Sequence, residues 1–322
     1  MRTWARVIVS LGMLAVLVVV LPWSEVLAAV TAMSGAVWVA VWLTFLAGHL
    51  LGSFKWRLMV NASRSNLRSV DAVRCYAAGL FANLCLPSII GGDVLRATLA
   101  AQATKRPEAV VLGSVADRVL DVGALGVLIV GGGLVIGNRV PGWAGAAMSA
   151  GLLLAVVVLT IGLILAVRRP VRRWPRKARR VIARSLVALR RLWRTPERAV
   201  LALGLALVLQ GAFVLANAWI GRSIGIDVPL AAWFVVWPLA KVAGLMPISL
   251  GGLGVRDATQ GALLVTLGVP AAQGVVASLI WQSVLIGGGL TAGVTWWTMG
   301  RAAEQRRALN TNRSAEVPTH RV

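Results

Sequence analysis

Apolar runs too long for a soluble core dominate this sequence. The segment from about 108 to 137 is Val, Leu, Gly, Ala and Ile apart from Glu108, Ser114, Asp117, Arg118 and Asp121. It exceeds the roughly 18 residues that suggest a membrane span, and other runs are of similar length. With 58% of 322 residues hydrophobic and 14% charged, one soluble core cannot hide this surface. The runs are continuous rather than alternating, which points to helices and away from a β-barrel. The expected fold is an all-α polytopic membrane protein.

The formal charge of +22 is concentrated where it does not suggest nucleic acid. Arg168, Arg169, Arg172, Arg173, Arg176, Lys177, Arg179, Arg180, Arg184, Arg190, Arg191, Arg194 and Arg198 crowd one connection, and Arg301, Arg306, Arg307, Arg313 and Arg321 follow the last apolar run. Both groups directly follow spans, as the positive-inside rule predicts for cytoplasmic segments, and anionic headgroups are the nearest partners. No groove-reading module is present, so nucleic acid is not an expected partner. The two histidines, His49 and His320, and the two cysteines, Cys75 and Cys85, lack metal-type spacing. No metal, cofactor or catalytic residue is expected. His49 reads as a satisfied polar residue near the interface.

Inside the apolar surroundings one pattern occurs twice: Pro87-Ser-Ile-Ile-Gly91-Gly92-Asp93-Val-Leu-Arg96 and Pro247-Ile-Ser-Leu-Gly251-Gly252-Leu-Gly-Val-Arg256. Pro and paired Gly interrupt a helix, and an arginine beyond them needs a partner that lipid does not supply. Two such breaks in matching halves point to a transport site; the plainer alternative is two tight turns, each with a snorkelling arginine.

Placing basic stretches on one side gives about six full crossings plus two re-entrant helical hairpins. Spans are expected near 7–21, 35–54, 108–137, 143–167, 199–220 and 271–297; the first could also be a cleaved signal, although an uncleaved span is preferred. Lys55, Arg57, Arg64, Arg68 and Arg74 would then be cytoplasmic. The first hairpin, about 75–101, enters from the cytoplasm and the second, within 228–269, from outside, so the motifs form an inverted repeat with limbs of about ten residues. Residues 1–300 form one membrane domain, with halves 1–167 and 199–300 joined by the basic connection 168–198. Ile182, Leu186, Leu189 and Trp193 give that connection an amphipathic character. Residues 301–322 are expected to be a disordered cytoplasmic tail, and both termini cytoplasmic. Trp23, Trp56, Trp143, Trp296 and Trp297 read as interfacial anchors, and Gly131–Gly133 and Gly287–Gly289 as close-packing positions.

The candidate binding residues follow from charge. A helix restarting after Gly91-Gly92, with Asp93 near its N-cap and Arg96 one turn on, makes an anion site suited to phosphate; Gly251, Gly252 and Arg256 can do the same, tuned by Asp257. Asp93 with Arg96 can equally be a neutralised helix-surface pair. Asp117 and Asp121 share a helix face with Arg118 in reach of Asp121, so the cluster can neutralise itself or receive Arg96 or Arg256. Lys241 belongs either to the polar cavity or to the outer surface.

These residues resemble the lysylphosphatidylglycerol synthase transmembrane-region family, the flippase-like membrane proteins. The likeness is carried by Leu-Pro-Ser-x-x-Gly-Gly-Asp-x-x-Arg within 75–101, Ala-Asp117-Arg118-x-x-Asp121, and Pro247-x-x-x-Gly251-Gly252-x-Gly254-x-Arg256-Asp257, and covers about 54–297. Asp117 and Asp257 stand where Glu is expected to be common, keeping the charge but shortening its reach. The resemblance implies a membrane region that translocates aminoacylated phosphatidylglycerol beside a separate synthase domain; none follows residue 300, so the chain is not expected to be a synthase.

The function expected is that of a lipid translocase of the cytoplasmic membrane, moving an anionic or aminoacylated phospholipid or a polyprenyl phosphate-linked lipid. The alternatives are a membrane partner that recruits a glycosyltransferase or lipid synthase, and an intramembrane lipid-phosphate enzyme that would need Asp93, Asp117, Asp121 and Asp257 to converge on a divalent metal.

Overall fold

The structure is a computed structural model that describes residues 31, 33–62, 65–85, 89–137, 196–244 and 254–315. These residues form eight helices and no strand: α1 (Gly35–Ala62), α2 (Ser69–Cys85), α3 (Ile89–Thr104), α4 (Pro107–Gly137), α5 (Pro196–Ser223), α6 (Leu230–Gly244), α7 (Val255–Val265) and α8 (Ala271–Ala315). Four are long and apolar enough to cross a membrane: α1, α4, α5 and the Ala271–Arg301 part of α8. The expected spans at 7–21 and 143–167, the amphipathic connection, and Pro87, Pro247, Gly251 and Gly252 lie outside the described residues.

Side-chain contacts fix the direction of each helix. α1 and α5 run antiparallel, with Gly48 facing the Phe213 ring and Gly52 facing Leu209. α4 is antiparallel to α1, since Trp56 donates to Ser114 and Gly113 packs on Val60. Met59, Leu112, Ala116 and Ala202 cluster, which brings the starts of α4 and α5 to the end of α1. Trp56, Val60, Leu67, Ala72, Ala100 and Val110 do the same for α2 and α3. α8 runs against α2, with Gly289 on Leu84, Gly293 on Phe81 and Gly300 on Arg74. One end of the bundle therefore gathers Arg57, Arg68, Arg74, Lys105, Arg106, Arg198 and Arg301, with Asp71, Glu108 and Glu197 as the acids beside them.

The helix pairs that flank the two motifs have their outer ends at opposite ends of this bundle. α2 leaves from the basic end and α3 returns to it. α6 begins at the other end, where Phe234 meets Gly132 of α4 and Trp233 meets Gly221 of α5, and carries Lys241 to Gln210 in the middle of α5. α7 starts deep, with Arg256 on Gln282, and brings Leu263 and Leu267 back beside Ile136. A buried apolar cluster of α1, α4, α5, α6, α7 and α8 residues, including Phe45, Leu125, Phe213, Trp233, Trp237, Leu264 and Trp281, joins the two halves.

Glycine makes the tightest of these approaches possible. A Cβ on Gly92 would collide with the Gly79 carbonyl and Asn83 Oδ1, and one on Gly79 would come 2.8 Å from the Gly92 carbonyl oxygen. Gly92 of the first motif and Gly79 of α2 thus let α2 and α3 touch backbone to backbone. Gly287, Gly288 and Gly289 face Trp38, Phe45 and Leu84, the close packing expected of that run, whereas in the other run Gly132 meets Phe234 and Gly131 has open space around it.

Several expectations need correction. The second span does not stop at 54: α1 continues to Ala62, because the charge of Lys55 is neutralised inside the protein and gives the helix no reason to exit. His49 accordingly sits in mid-helix, against Phe45, Phe213 and Tyr76, rather than near an interface. The helices flanking the two motifs are longer than the limbs of about ten residues expected, at 17 and 16 around the first and 15 and 11 around the second. Polar outer turns, with Asp71 and Arg74 opening α2 and Gln102 and Thr104 closing α3, add the length. The tail expected to be disordered is helical as far as Ala315, as suits its Ala, Arg, Glu, Gln and Leu. Trp56 is no anchor; it is fully buried. Trp297 is 55% exposed, with Arg301 stacked on it at 3.9 Å.

Candidate functional site

α1, α3 and α4 bring six charged groups together in the interior of the bundle. Lys55 donates to Asp121 Oδ1 at 2.6 Å and lies 2.6 Å from Asp117 Oδ1. The i, i+4 spacing that puts both carboxylates on one face of α4 is what allows one ammonium to bridge them. Arg96 donates to Asp117 Oδ2 at 3.3 Å and has its Nε 3.2 Å from Asp93. Asp93 in turn takes a short bond from Arg118. Lys55, Arg96 and Asp117 are all buried, and a charge at such a place persists only when paired.

Aromatic faces complete the seat of Arg96. Its guanidinium carbon lies 5.0 Å from the ring centroids of both Trp56 and Tyr76, near enough for a cation–π contribution from each. Trp56 is held by its indole N–H to Ser114 at 2.9 Å.

Two expected details differ. Arg118 pairs with Asp93 across helices instead of with Asp121, because Lys55 already occupies Asp121. Gly91 and Gly92 lie inside the first turn of α3, which begins at Ile89, so Asp93 is not its N-cap. The Gly92 N–H is satisfied by Asn83 Oδ1 at 3.1 Å, and Asp93 turns toward the two arginines.

The second motif builds a different device. Gly254, at φ 82°, precedes α7, and its N–H donates to Asp257 Oδ2 at 3.1 Å. The other carboxylate oxygen accepts from Arg256 at 2.8 Å and from the Ser278 hydroxyl at 2.7 Å, while Arg256 also donates to Gln282 at 2.7 Å. One aspartate therefore both caps a helix and neutralises an arginine.

Lys241 stands between the two devices. It donates to Gln210 at 2.7 Å and lies 4.7 Å from the Trp237 ring centroid and 5.6 Å from that of Phe213. It has no carboxylate within ion-pair distance among the described residues. Its charge acts on Asp121, Arg118, Lys55 and Arg256, which places it within electrostatic range of both clusters. Arg96 and Arg256 share no direct bond; each has its own aspartates. Lys55, Arg96, Arg118, Lys241 and Arg256 face Asp93, Asp117, Asp121 and Asp257, an excess of one cation.

Sequence reading placed Lys55 in a cytoplasmic loop and named neither Gln210, Gln282, Ser278, Tyr76 nor Asn83 as part of the site. The signal for Lys55 was present in α4, where two acids on one face have a single arginine beside them and require another cation. Nothing in the sequence marks the neutral partners, whose roles depend on which helices meet. Gln260 is fully buried with neither amide atom bonded within the described structure.

The chain was compared with known proteins. No curated protein and no solved structure matches it. Residues 3–293 match the family described as Lysylphosphatidylglycerol synthase TM region. Four membrane-length helices and charge clusters built on both repeated motifs accord with that match, and the chain is a multi-pass membrane protein that belongs to the lysylphosphatidylglycerol synthase TM region family.

Proposed function

We propose that this protein translocates a phosphate-bearing lipid between the leaflets of the cytoplasmic membrane. The observation that carries the reading is Lys241, a lysine with no carboxylate within ion-pair distance among the described residues, bonded to Gln210 in the middle of α5 and set beside the Trp237 ring. A lipid phosphate is the anion that would neutralise it. Arg96 and Arg256 flank the site and exchange part of their aspartate contact for the headgroup, while the tails stay in lipid.

The helix pairs α2–α3 and α6–α7 act as re-entrant hairpins entering from opposite faces, an inverted repeat around a shared midplane site. Their outer ends at opposite ends of the bundle support this reading, as do the basic groups gathered at the α2–α3 end, which faces the cytoplasm. Headgroups then reach Lys241 from either side as one hairpin or the other shifts. The substrate class is anionic or aminoacylated phospholipid, or a polyprenyl phosphate-linked lipid.

The test is reconstitution into vesicles carrying labelled anionic phospholipid or polyprenyl phosphate in one leaflet. Wild-type protein is expected to speed the appearance of at least one of these lipids in the other leaflet, and Lys241→Gln and Arg96→Ala to slow it. If no lipid moves in a protein-dependent way, the proposal fails.

A further inference from the structure

Away from the central site, a groove of about 480 Å³ runs between the C-terminal part of α1 and the N-terminal part of α5, lined by Phe54, Arg57, Leu58, Asn61, Asn66, Arg198, Leu201 and Leu205. Its chemistry is graded along its length. Asn61, Asn66 and Arg198 lie toward the helix ends and Phe54 and Leu205 toward the bundle centre, with Leu58 and Leu201 between them and the Arg57 guanidinium reaching outward to the Leu67 carbonyl. From Arg198 to Leu205 the helix rises roughly 10 Å, about the distance from a phosphate to the upper part of an acyl chain.

The polar wall is built rather than loose. Arg57 Nε donates to the Leu67 carbonyl at 2.8 Å, which fixes the guanidinium and leaves its terminal nitrogens uncommitted. Asn61 accepts from the Leu67 N–H at 2.7 Å and the Ser65 hydroxyl at 2.8 Å, and donates to the Leu67 carbonyl at 3.0 Å. That lattice ties down the turn on which Asn66 takes a left-handed φ of 57°. Neither Arg57 nor Arg198 has a carboxylate within ion-pair distance among the described residues.

Two guanidiniums without a carboxylate partner among the described residues, beside apolar side chains in one groove, match an anionic phospholipid in charge and in chemistry. We propose that this groove holds one such lipid, its phosphate between Arg57 and Arg198 and an acyl chain along Phe54, Leu201 and Leu205. The site is separate from Lys241 and does not depend on its role. It gives the protein a bound lipid at the basic end of the α1–α5 seam.

A photo-crosslinking amino acid in place of Leu205, in full-length protein reconstituted with either phosphatidylglycerol or phosphatidylcholine, tests the assignment. The expected result is a phosphatidylglycerol adduct in clear excess over phosphatidylcholine, cut about tenfold by Arg198→Gln, the loss of roughly one charge-assisted contact. Arg198 is exposed, so this variant should keep the unfolding temperature of the parent, and Lys241→Gln should leave the adduct intact. Equal labelling by both lipids, an adduct to the chain's own 168–195 segment, or displacement of the lipid by millimolar inorganic phosphate would each overturn the proposal.

Discussion

The clusters around Arg96 and Arg256 grow from the same motif, yet they solve the problem of a deep arginine differently. Arg96 is closed in by charge: Asp93 and Asp117 face it, Lys55 and Arg118 hold those aspartates, and two aromatic rings cover it. Arg256 has one aspartate, and its other partner is the neutral Gln282. A closed charge network resists rearrangement, since moving one member strands another in low dielectric. Neutral partners can be exchanged at less cost, and the unpaired Lys241 acts on Arg256 as well. The Arg96 cluster is therefore the anchored one of the two and the Arg256 cluster the more responsive.

The largest effect expected of a single change is in the anchored cluster. Asp117→Asn leaves Lys55 and Arg96 short of a buried counter-charge and should cost about 3–5 kcal/mol, read as a lower denaturant or thermal midpoint in detergent. An unchanged midpoint would erase the distinction between the two clusters. Lys241→Gln should do the reverse, keeping stability while weakening lipid movement by the equivalent of about 1.5–3 kcal/mol, a tenfold loss or more. If that variant loses stability to the same degree as Asp117→Asn, Lys241 belongs to the scaffold. Gly92→Ala forces α2 and α3 apart and should cost about 1–3 kcal/mol by overpacking. A matched thermal scan of Gly91→Ala, where the glycine is less buried, separates this contact from loss of glycine as such. Smallest is Asp257→Asn, which keeps a capping oxygen but weakens the tie to Arg256; about 1 kcal/mol or less is expected in the same scan.

What could be read from sequence was what periodicity and charge alone decide. The apolar runs specify helices, and the spacing of Asp117 and Asp121 already places both on one face. The cost of a lone buried charge left Asp117 either a partner in its own cluster or Arg96 or Arg256, and the packing of α3 on α4 selects Arg96. Lys55 escaped because a lysine closely followed by Arg57 and the polar stretch from Asn61 to Asn66 reads equally as the start of a loop; only the packing of α1 on α4 distinguishes the two. The glycines of the first motif were legible as a break, whereas their place inside α3 depends on how near α2 comes. Arg118 had two carboxylates in reach by spacing, and the choice of Asp93 was made by Lys55 from another helix.

The rings of Phe45, Phe213, Trp237 and Trp281 touch one another with centroids 5.7–6.0 Å apart, in the core where α1, α5, α6 and α8 meet. Phe213 and Trp237 also bear on Lys241, and Phe45 and Phe213 on His49. Considered as a conduit, the protein has an insulating septum at its centre. Water threading between the polar residues on either side would have to part large, mutually braced rings, and a dewetted apolar constriction of this type is how channels stay shut. The charges in the interior are thereby kept apart by a core of interlocked rings rather than joined into one polar path.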